Sequence, residues 1–390
     1  MEEWKEYKLG EVCTELSDGL HKAPKFKIGG EYIFVNAKNI ANGFIVDNDP
    51  TKKSTYEEFL KYASPLNDTT VLYSIDGTIG NVALYRGEKC ILGKGACYMN
   101  PNPTVLDRMF LYYELHSPRF KSYIDRMSTG STIKHISLKT MRGYTFTCPP
   151  VEIQKQISSV LQSLDDKIEI NRRINDNLEQ QGQALFEEYV MNLNKPRTQL
   201  LSDYALINPT RTIAKGRAAR CIEMSSLPTK GTFPSDWTFK EYNGGMKFRN
   251  GDTIMARITP CLENGKTAYI NFLDENEVAF GSTEYIVLSA HEGFCSELLY
   301  FLARYDDFVS YAVSHMNGSS GRQRVSGNDI ANYVMPEISN ETMDVVSEKL
   351  HGIMEVIKNN SLESRRLAEI RDALLPRLMS GDFKLEEVNM

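Results

Sequence analysis

The residues best suited to chemistry in this chain lie in loops where small, polar and cationic side chains alternate. DGLHKAPKFKIGG carries His21, Lys22, Lys25 and Lys27, VNAKNIANG carries Lys38 and Asn39, SIDGTIG presents Ser74, Asp76 and Thr78 in a tight turn, and GSTIKHIS presents Lys134 and His135. Further on, NPTRTIAKGRAAR carries Arg211, Lys215, Arg217 and Arg220, MARITPCLENGK carries Arg257 and Lys266, and GSSGRQRVS carries Arg322, Gln323 and Arg324. Small residues let a backbone approach phosphates closely, Lys and Arg neutralise them, and Arg, Asn and Gln pair two-pronged with base edges. That is equipment for reading DNA. A single one of these charges reads as an ordinary solvated loop residue; the signal is their repetition at matching places in the two halves of the chain.

Other chemistries lack their residues. No GxxxxGK[ST] loop occurs and no GxGxxG follows a strand, which argues against nucleotide hydrolysis. The Asn-Pro pairs in NPNP (100–103) and NPTR (208–211) lack the aromatic residue that amino-methyltransferases place after Asn-Pro-Pro, so they read as loop turns. Asp165 and Asp166 fall on a helical stretch, where a solvated face is the default for charges. The six histidines and seven cysteines are scattered, with no CxxC pair and no metal-ligand spacing, so the cysteines read as buried free thiols. No catalytic constellation and no metal site is expected.

The totals describe a soluble, multi-domain chain. Its 390 residues exceed one ordinary domain, and 41% hydrophobic with 25% charged residues are common globular values. No apolar run approaches the ~20 residues of a membrane span. The charged start, MEEWKEYKLGEV, lacks a secretory core, so a cytoplasmic location is expected. The net charge of -6 argues weakly against a nucleic-acid partner, although a local basic face decides that question better than a total.

The elements that must position the loops follow a repeating order. Up to residue 149, β-rich runs such as YIFVNAKNI, TTVLYSI and NVALYR alternate with turn signals, followed by the helical spacing of RMFLYYELHSPRFKSYIDRM. From Pro149 to Tyr189 the pattern becomes one long helix. Its apolar seam runs through Ile157, Leu161, Leu164, Ile168, Leu178 and Leu185, with Asn171 in the same line. At about 1.5 Å per residue such a helix would span roughly 50 to 60 Å.

After the connector NLNKPRTQLL the order starts again, with TIMARITP in place of TVLYSIDG and LLYFLARYDDFVSYAVSHM in place of the first helical segment. A second long helix is expected from about Asn340 to Met379. Adding 189 to each first seam number reaches Val346, Leu350, Ile353, Ile357, Asn360, Leu367 and Leu374. Register kept over that distance indicates internal duplication. The fold class is therefore α+β: two mixed, mainly β lobes (1–149 and 193–338) separated by long helices (150–192 and 339–390) that pair antiparallel. Pairing hides apolar stripes that would otherwise lie exposed. It would also set the lobes at opposite ends about an approximate two-fold axis, with Asn171 and Asn360 meeting near it and fixing register.

Taken together, PPVEIQKQISSVLQSLDDKIEINRRINDNLE, RDALLPRLMSGDF, DGLHKAPKFKIGG and SIDGTIG give a chain that resembles the specificity subunit of a Type I restriction-modification enzyme over essentially its whole length. One departure is local: the family usually has Glu-Gln after the proline, whereas Ile153 precedes Gln154 here and the second copy, PEISNETMD, lacks the pair. The resemblance implies two target recognition domains, each reading half of a bipartite sequence in double-stranded DNA, and helices that set the gap between half-sites. It also implies partners: two methyltransferase subunits, which carry S-adenosylmethionine and methylate adenine, and restriction subunits that use ATP and Mg. On that reading this chain is non-catalytic and holds no cofactor of its own. The rival readings are an enzyme acting directly on DNA, opposed by the missing motifs, and a coiled-coil adaptor that binds proteins without reading DNA.

Overall fold

The computed structural model describes residues 4–49, 52–128, 135–192, 197–319 and 321–381. The chain divides into two compact units, Met1–Asp166 with Leu367–Met390, and Lys167–Arg366. Each unit therefore holds one lobe together with parts of both long helices.

The first unit contains β1 (Lys5–Lys8), α1 (Leu9–Val12), β2 (Cys13–Asp18), β3 (Tyr32–Val35), β4 (Ile40–Ala41), β5 (Phe44–Ile45), β6 (Lys53–Ser54), α2 (Tyr56–Tyr62), β7 (Val71–Ser74), β8 (Val82–Leu84), β9 (Cys90–Leu92), β10 (Ala96–Pro101), α3 (Arg108–His116), α4 (Pro118–Met127), α5 (Leu138–Arg142) and β11 (Thr145–Cys148). Then comes α6 (Val151–Phe186), which ends in a π-helical turn over Glu187–Met191. The second lobe comprises β12 (Thr198–Leu200), β13 (Ala205–Ile207), β14 (Ala218–Ile222), β15 (Thr238–Glu241), β16 (Lys247–Phe248), β17 (Asp252–Ala256), β18 (Thr267–Tyr269), β19 (Ala279–Gly281), β20 (Tyr285–Ala290), α7 (Ser296–Arg304), α8 (Asp306–Ser314), α9 (Gly327–Ala331) and β21 (Val334–Pro336), followed by α10 (Asn340–Ser380).

Sheet order repeats between the lobes. The main sheet runs β2-β10-β7-β8 in the first and β13-β20-β17-β18 in the second. A strand pair closes each lobe, β1 with β11 and β12 with β21, and in each lobe two strands pair in parallel, β3 with β9 and β14 with β19. The second lobe adds β16 at the edge of its smaller sheet. The duplication expected from the 189-residue register is thus present in strand topology, where hydrogen bonding is insensitive to the drift of side chains.

The long helices are anchored in the lobe cores. Ile157 and Leu161 of α6 and Leu375 and Leu378 of α10 are buried in one cluster with Phe110 and Phe146 of lobe one. Val346, Leu350 and Ile357 of α10 lie in the lobe-two core with Phe301 and Phe308. The stripe expected as a helix-to-helix seam is therefore shared with the lobes, which is why the compact units divide inside the helices and not at residues 149 and 338. Leu164, Ile168 and Leu367 are half-buried, and Leu178, Leu185, Ile353 and Leu374 pack partly buried against the two cores. Each fully buried Leu or Ile contributes roughly 1.5 to 3 kcal/mol of hydrophobic stabilisation.

Within each unit the helix segments run antiparallel. In the first, Asp165 accepts from Arg371 Nη1 at 2.6 Å and from Tyr113 Oη at 2.8 Å. Asp165 thus ties both helices to α3, a correction to the solvated face expected for it. In the second, Asn171 meets Asn360 and Glu363, and Asn175 meets Ile357 and Ser361, so advancing along α6 means retreating along α10.

Gln154 and Gly182 explain two oddities of the α6 sequence. Gln154 is fully buried; its Nε2 donates to Val105 O and Pro149 O, and its Oε1 accepts from Asp107 N, all at 2.8 Å. It stitches the start of α6 to lobe one. The register-equivalent residue of α10 is Met343, which is buried in the lobe-two core and makes an apolar version of the same junction. Gly182 sits where the Phe301 ring presses on the helix, and a Cβ there would lie 2.3 Å from Phe301 Cζ.

Candidate nucleic-acid interface

In both lobes the turn after the central strand of the main sheet is held against the loop that precedes a short helix. In lobe one Ile136 N donates to Ile75 O at 2.9 Å, so Asp76 and Thr78 stand beside His135, whose Nδ1 lies 3.9 Å from Asp76 Oδ1. In lobe two Val325 N donates to Arg257 O at 3.0 Å and Thr259 N to Gln323 O at 3.1 Å. Loops chosen only for their composition are thus paired, in the same topological place, twice.

Lobe one gathers further loops at this turn. Ile75 N donates to Gly95 O at 3.0 Å and Lys94 N to Leu20 O at 3.0 Å, which brings the His21 and Lys22 loop alongside. Lys94 Nζ lies 4.0 Å from Asp76, and His21 Nε2 lies 3.2 Å from Asp18. Lys94 was not among the sequence candidates; its signal was the GKG that follows β9, the same pattern of a cation flanked by small residues. Lys38 is exposed. Lys25 is drawn elsewhere, because its backbone N–H donates to Glu58 on α2 and its carbonyl accepts from Ser54. Lys134 lies outside the described residues.

Asn39 and Ser74 are buried and committed to their own loops. Asn39 accepts from Asn36 N and donates to Val46 O and Asn48 Oδ1, while Ser74 Oγ accepts from Asn81 N to close the turn. Hydrogen bonds of this local kind are what Asn and Ser supply in turns.

In lobe two, Arg257, Gln323 and Arg324 lie together, and Arg322 is exposed beside them. Arg324 forks onto Glu284, with Nη2 to Oε1 at 2.7 Å and Nε to Oε2 at 2.9 Å. That guanidinium holds the Glu284 carboxyl below the usual carboxylate range. Lys215 and Arg217 are exposed on the hairpin loop that bonds to Tyr242.

The remaining cations serve the fold. Arg211 is 9% exposed and forms a two-pronged pair with Asp252, itself 1% exposed, and also donates to Ser289. Arg220 sits among Trp237, Phe239 and Phe272 and pairs with Glu277. Lys266 Nζ donates to Met224 O at 2.7 Å. Composition did not separate these from the surface cations, because a buried Arg and a loop Arg look alike until their acidic partners are known.

Among the described residues there is no group of three His, Cys, Asp or Glu that could hold a metal ion, and no helix long and apolar enough to cross a membrane. All seven cysteines are free; five are buried, and burial pushes the thiol of Cys90 up to about 12.

The family model for the Type I restriction modification DNA specificity domain matches residues 1–180. The chain is 21% identical over 477 residues to the Type I restriction enzyme HindI specificity subunit of Haemophilus influenzae, covering 98% of this chain and 100% of that one. Over nearly its whole length the chain is thus similar to specificity subunits of Type I restriction enzymes. To the MjaIX specificity subunit of Methanocaldococcus jannaschii the chain is 24% identical over 440 residues, covering 99% of this chain and 95% of the relative. A crystal structure of the S subunit from M. genitalium has the same fold, with a TM-score of 0.57 at 17% identity over 97% of this chain and 96% of that one.

Proposed function

We propose that each lobe reads one half of a bipartite target in double-stranded DNA, that the paired helices set the spacing between the half-sites, and that they dock two methyltransferase subunits. Restriction subunits then join the assembly. S-adenosylmethionine, ATP and Mg belong to those partners, and the whole acts in the cytoplasm. The supporting observation is the recurrence of one loop pairing in both lobes, Ile136 on Ile75 and Val325 on Arg257. A reader of two half-sites needs two equivalent surfaces, whereas an adaptor for proteins does not.

The surface residues proposed for DNA are His21, Lys22, Lys38, Thr78, Lys94 and His135 in lobe one, with Lys215, Arg217, Arg257, Arg322, Gln323 and Arg324 in lobe two. Phosphate contacts from such residues supply salt-dependent affinity, and a good base contact discriminates by about 1 to 3 kcal/mol. Half-sites about one turn of duplex apart, ~34 to 36 Å, suit a pseudo-symmetric reader.

Mapping methylated adenines in the host genome tests this reading. A motif of two short specified halves around an unspecified gap is the expected result, and one continuous motif would contradict it. Matched heptad insertions in α6 and α10 are expected to lengthen the gap, and an unchanged gap would refute the ruler.

A further inference from the structure

Lobe two contains a cavity of about 580 Å³ whose lining includes Asn208, Arg257, His291, Ser326 and Ala331. Its origin is visible in the duplication. Leu9 N donates to Tyr144 O in lobe one as Leu201 N donates to Tyr333 O in lobe two, both at 2.8 Å. Ser137 caps α5 as Ser326 caps α9. Leu16 pairs with Met99 as Ile207 pairs with Leu288. Arg142 and Ala331 therefore occupy equivalent positions.

In lobe one the Arg142 side chain crosses Gly10 and its Nη2 donates to Leu16 O at 2.6 Å, filling the space. In lobe two Gly327 and Ala331 replace Leu138 and Arg142, and the space stays open. The position equivalent to Arg257 is Ile75, a core residue of lobe one.

The cavity wall is electrostatically one-sided. Among the described residues that line it, Arg257 and His291 are the ionisable groups and none is a carboxylate. Arg257 Nε is closed to solvent and has no hydrogen-bond partner among the described residues. The nearby carboxylate, Glu284, has both oxygens taken by Arg324. Guanidinium suits phosphate oxygens through its planar fork, and Arg257 brings one to the cavity wall.

We propose that lobe two binds a phosphoryl oxyanion in this cavity, with Arg257 as the cationic anchor and Asn208, Ser326 and His291 as the polar wall, and that lobe one lacks the site because Arg142 plugs it. The phosphoryl group comes either from a small phosphorylated ligand or from a phosphodiester of DNA. The second source rests on the DNA reading above and the first does not.

Calorimetric titration of the full chain with inorganic phosphate and with deoxyadenosine monophosphate tests the cavity, alongside salt-dependent titration with duplex DNA. Ala331→Arg rebuilds the lobe-one plug without touching Arg257, Arg257→Gln removes the anchor, and Arg142→Ala is the control in the other lobe. Either lobe-two substitution is expected to weaken the phosphoryl probe at least about tenfold, and Arg142→Ala to leave it unchanged. A DNA salt slope reduced by about one in Ala331→Arg identifies the backbone phosphate as the source; an unchanged slope with probe binding lost identifies a small ligand. Probe binding that survives both lobe-two substitutions overturns the proposal, as does the absence of probe binding together with an unchanged DNA slope. Wild-type chain that binds no DNA defeats the DNA reading alone, since the phosphate titration still decides the cavity.

Discussion

Asn360 donates its side-chain amide to Asn175 Oδ1 at 2.9 Å, and the residue at the position equivalent to Asn175 in the second helix, Ser364, lies 3.3 Å from the amide of Asn171. The contact is made twice, once in each sense, as expected where two copies of one helix cross antiparallel. Asn171 is wholly buried, and its amide also reaches Glu363 Oε2 at 2.7 Å and Asn360 O at 3.4 Å. Asn171 and Asn360 meet through this backbone carbonyl, and their side chains engage the neighbours on either side.

Asn171→Ala is expected to destabilise the second unit by about 1 to 3 kcal/mol, because it strips a part-buried hydrogen bond to a charged acceptor. For Asn175 and Asn360, alanine variants singly and together in urea unfolding should show a coupling of about 0.5 to 1.5 kcal/mol. Strictly additive losses would mean that the 2.9 Å contact contributes nothing to the register.

The middle of the helix pair should also respond to acid. The Asn171 amide, and after it Lys167, hold the Glu363 carboxyl below its usual range, and Arg172, helped by Arg173, holds Glu169 at about 2 against an ordinary 4.5. With both folded values depressed, the unfolded chain binds more protons, so these groups stabilise above about 4.5, and for Glu169 this is lost as pH falls toward about 2. The stability difference between wild type and Glu169→Gln is expected to shrink across that window. A difference independent of pH would exclude the ion pairs as its cause.

Gly182→Ala should be destabilising although alanine is the better helix former by about 1 kcal/mol. The added Cβ would lie 2.3 Å from the buried Phe301 ring, and overpacking of that kind costs about 1 to 3 kcal/mol. Thermal melts of Gly182→Ala with and without Phe301→Leu give the check: the second substitution should recover part of the loss. A rise in Tm for Gly182→Ala alone would show that the ring moves aside freely.

The long helices and the duplication were legible because apolar spacing survives sequence drift and the 189-residue register is kept through six apolar pairs and one Asn pair. What the stripe packs on was not legible. Ile157 and Val346 satisfy the same pattern whether they face another helix or a lobe, and the answer lies in Phe110, Phe146 and Phe308, far away in sequence. The candidate site was readable at the level of loops and unreadable at the level of side chains. The sequence does not show that Asp252 captures Arg211 or that Lys94 joins the turn at Asp76.

Gln154 extends that point into an experiment. The Glu-Gln signature of the family that the chain resembles survives in half, and the surviving Gln bonds three backbone groups of lobe one and of the α6 start. Gln154→Met should therefore cost about 2 to 4 kcal/mol by leaving buried N–H and C=O groups unpaired. Met343→Gln in the other lobe should also destabilise, by burying an amide where the surroundings are apolar. Hydrogen exchange resolved by peptide should place the first effect in residues 105–107 and the second around residue 343. Effects that appear in both lobes for either variant would contradict separate cores.

The cations of lobe two divide into those that hold the lobe and those offered to solvent, and DNA binding should separate them. Arg211→Met leaves Asp252 buried and unpaired, a loss of about 3 to 5 kcal/mol, so its Tm should fall sharply and any loss of DNA binding follows from unfolding. Arg322 is exposed, so Arg322→Ala should leave Tm unchanged, weaken DNA binding and lower the salt slope by about one. Arg324→Ala combines the two, since it frees Glu284 beside the same loop and places an unneutralised carboxylate next to the phosphates. Its loss of affinity should exceed that of Arg322→Ala, and adding Glu284→Gln should restore part of it. Equal losses with no rescue would mean that Arg324 acts only as a cation and that Glu284 lies outside the field the DNA feels.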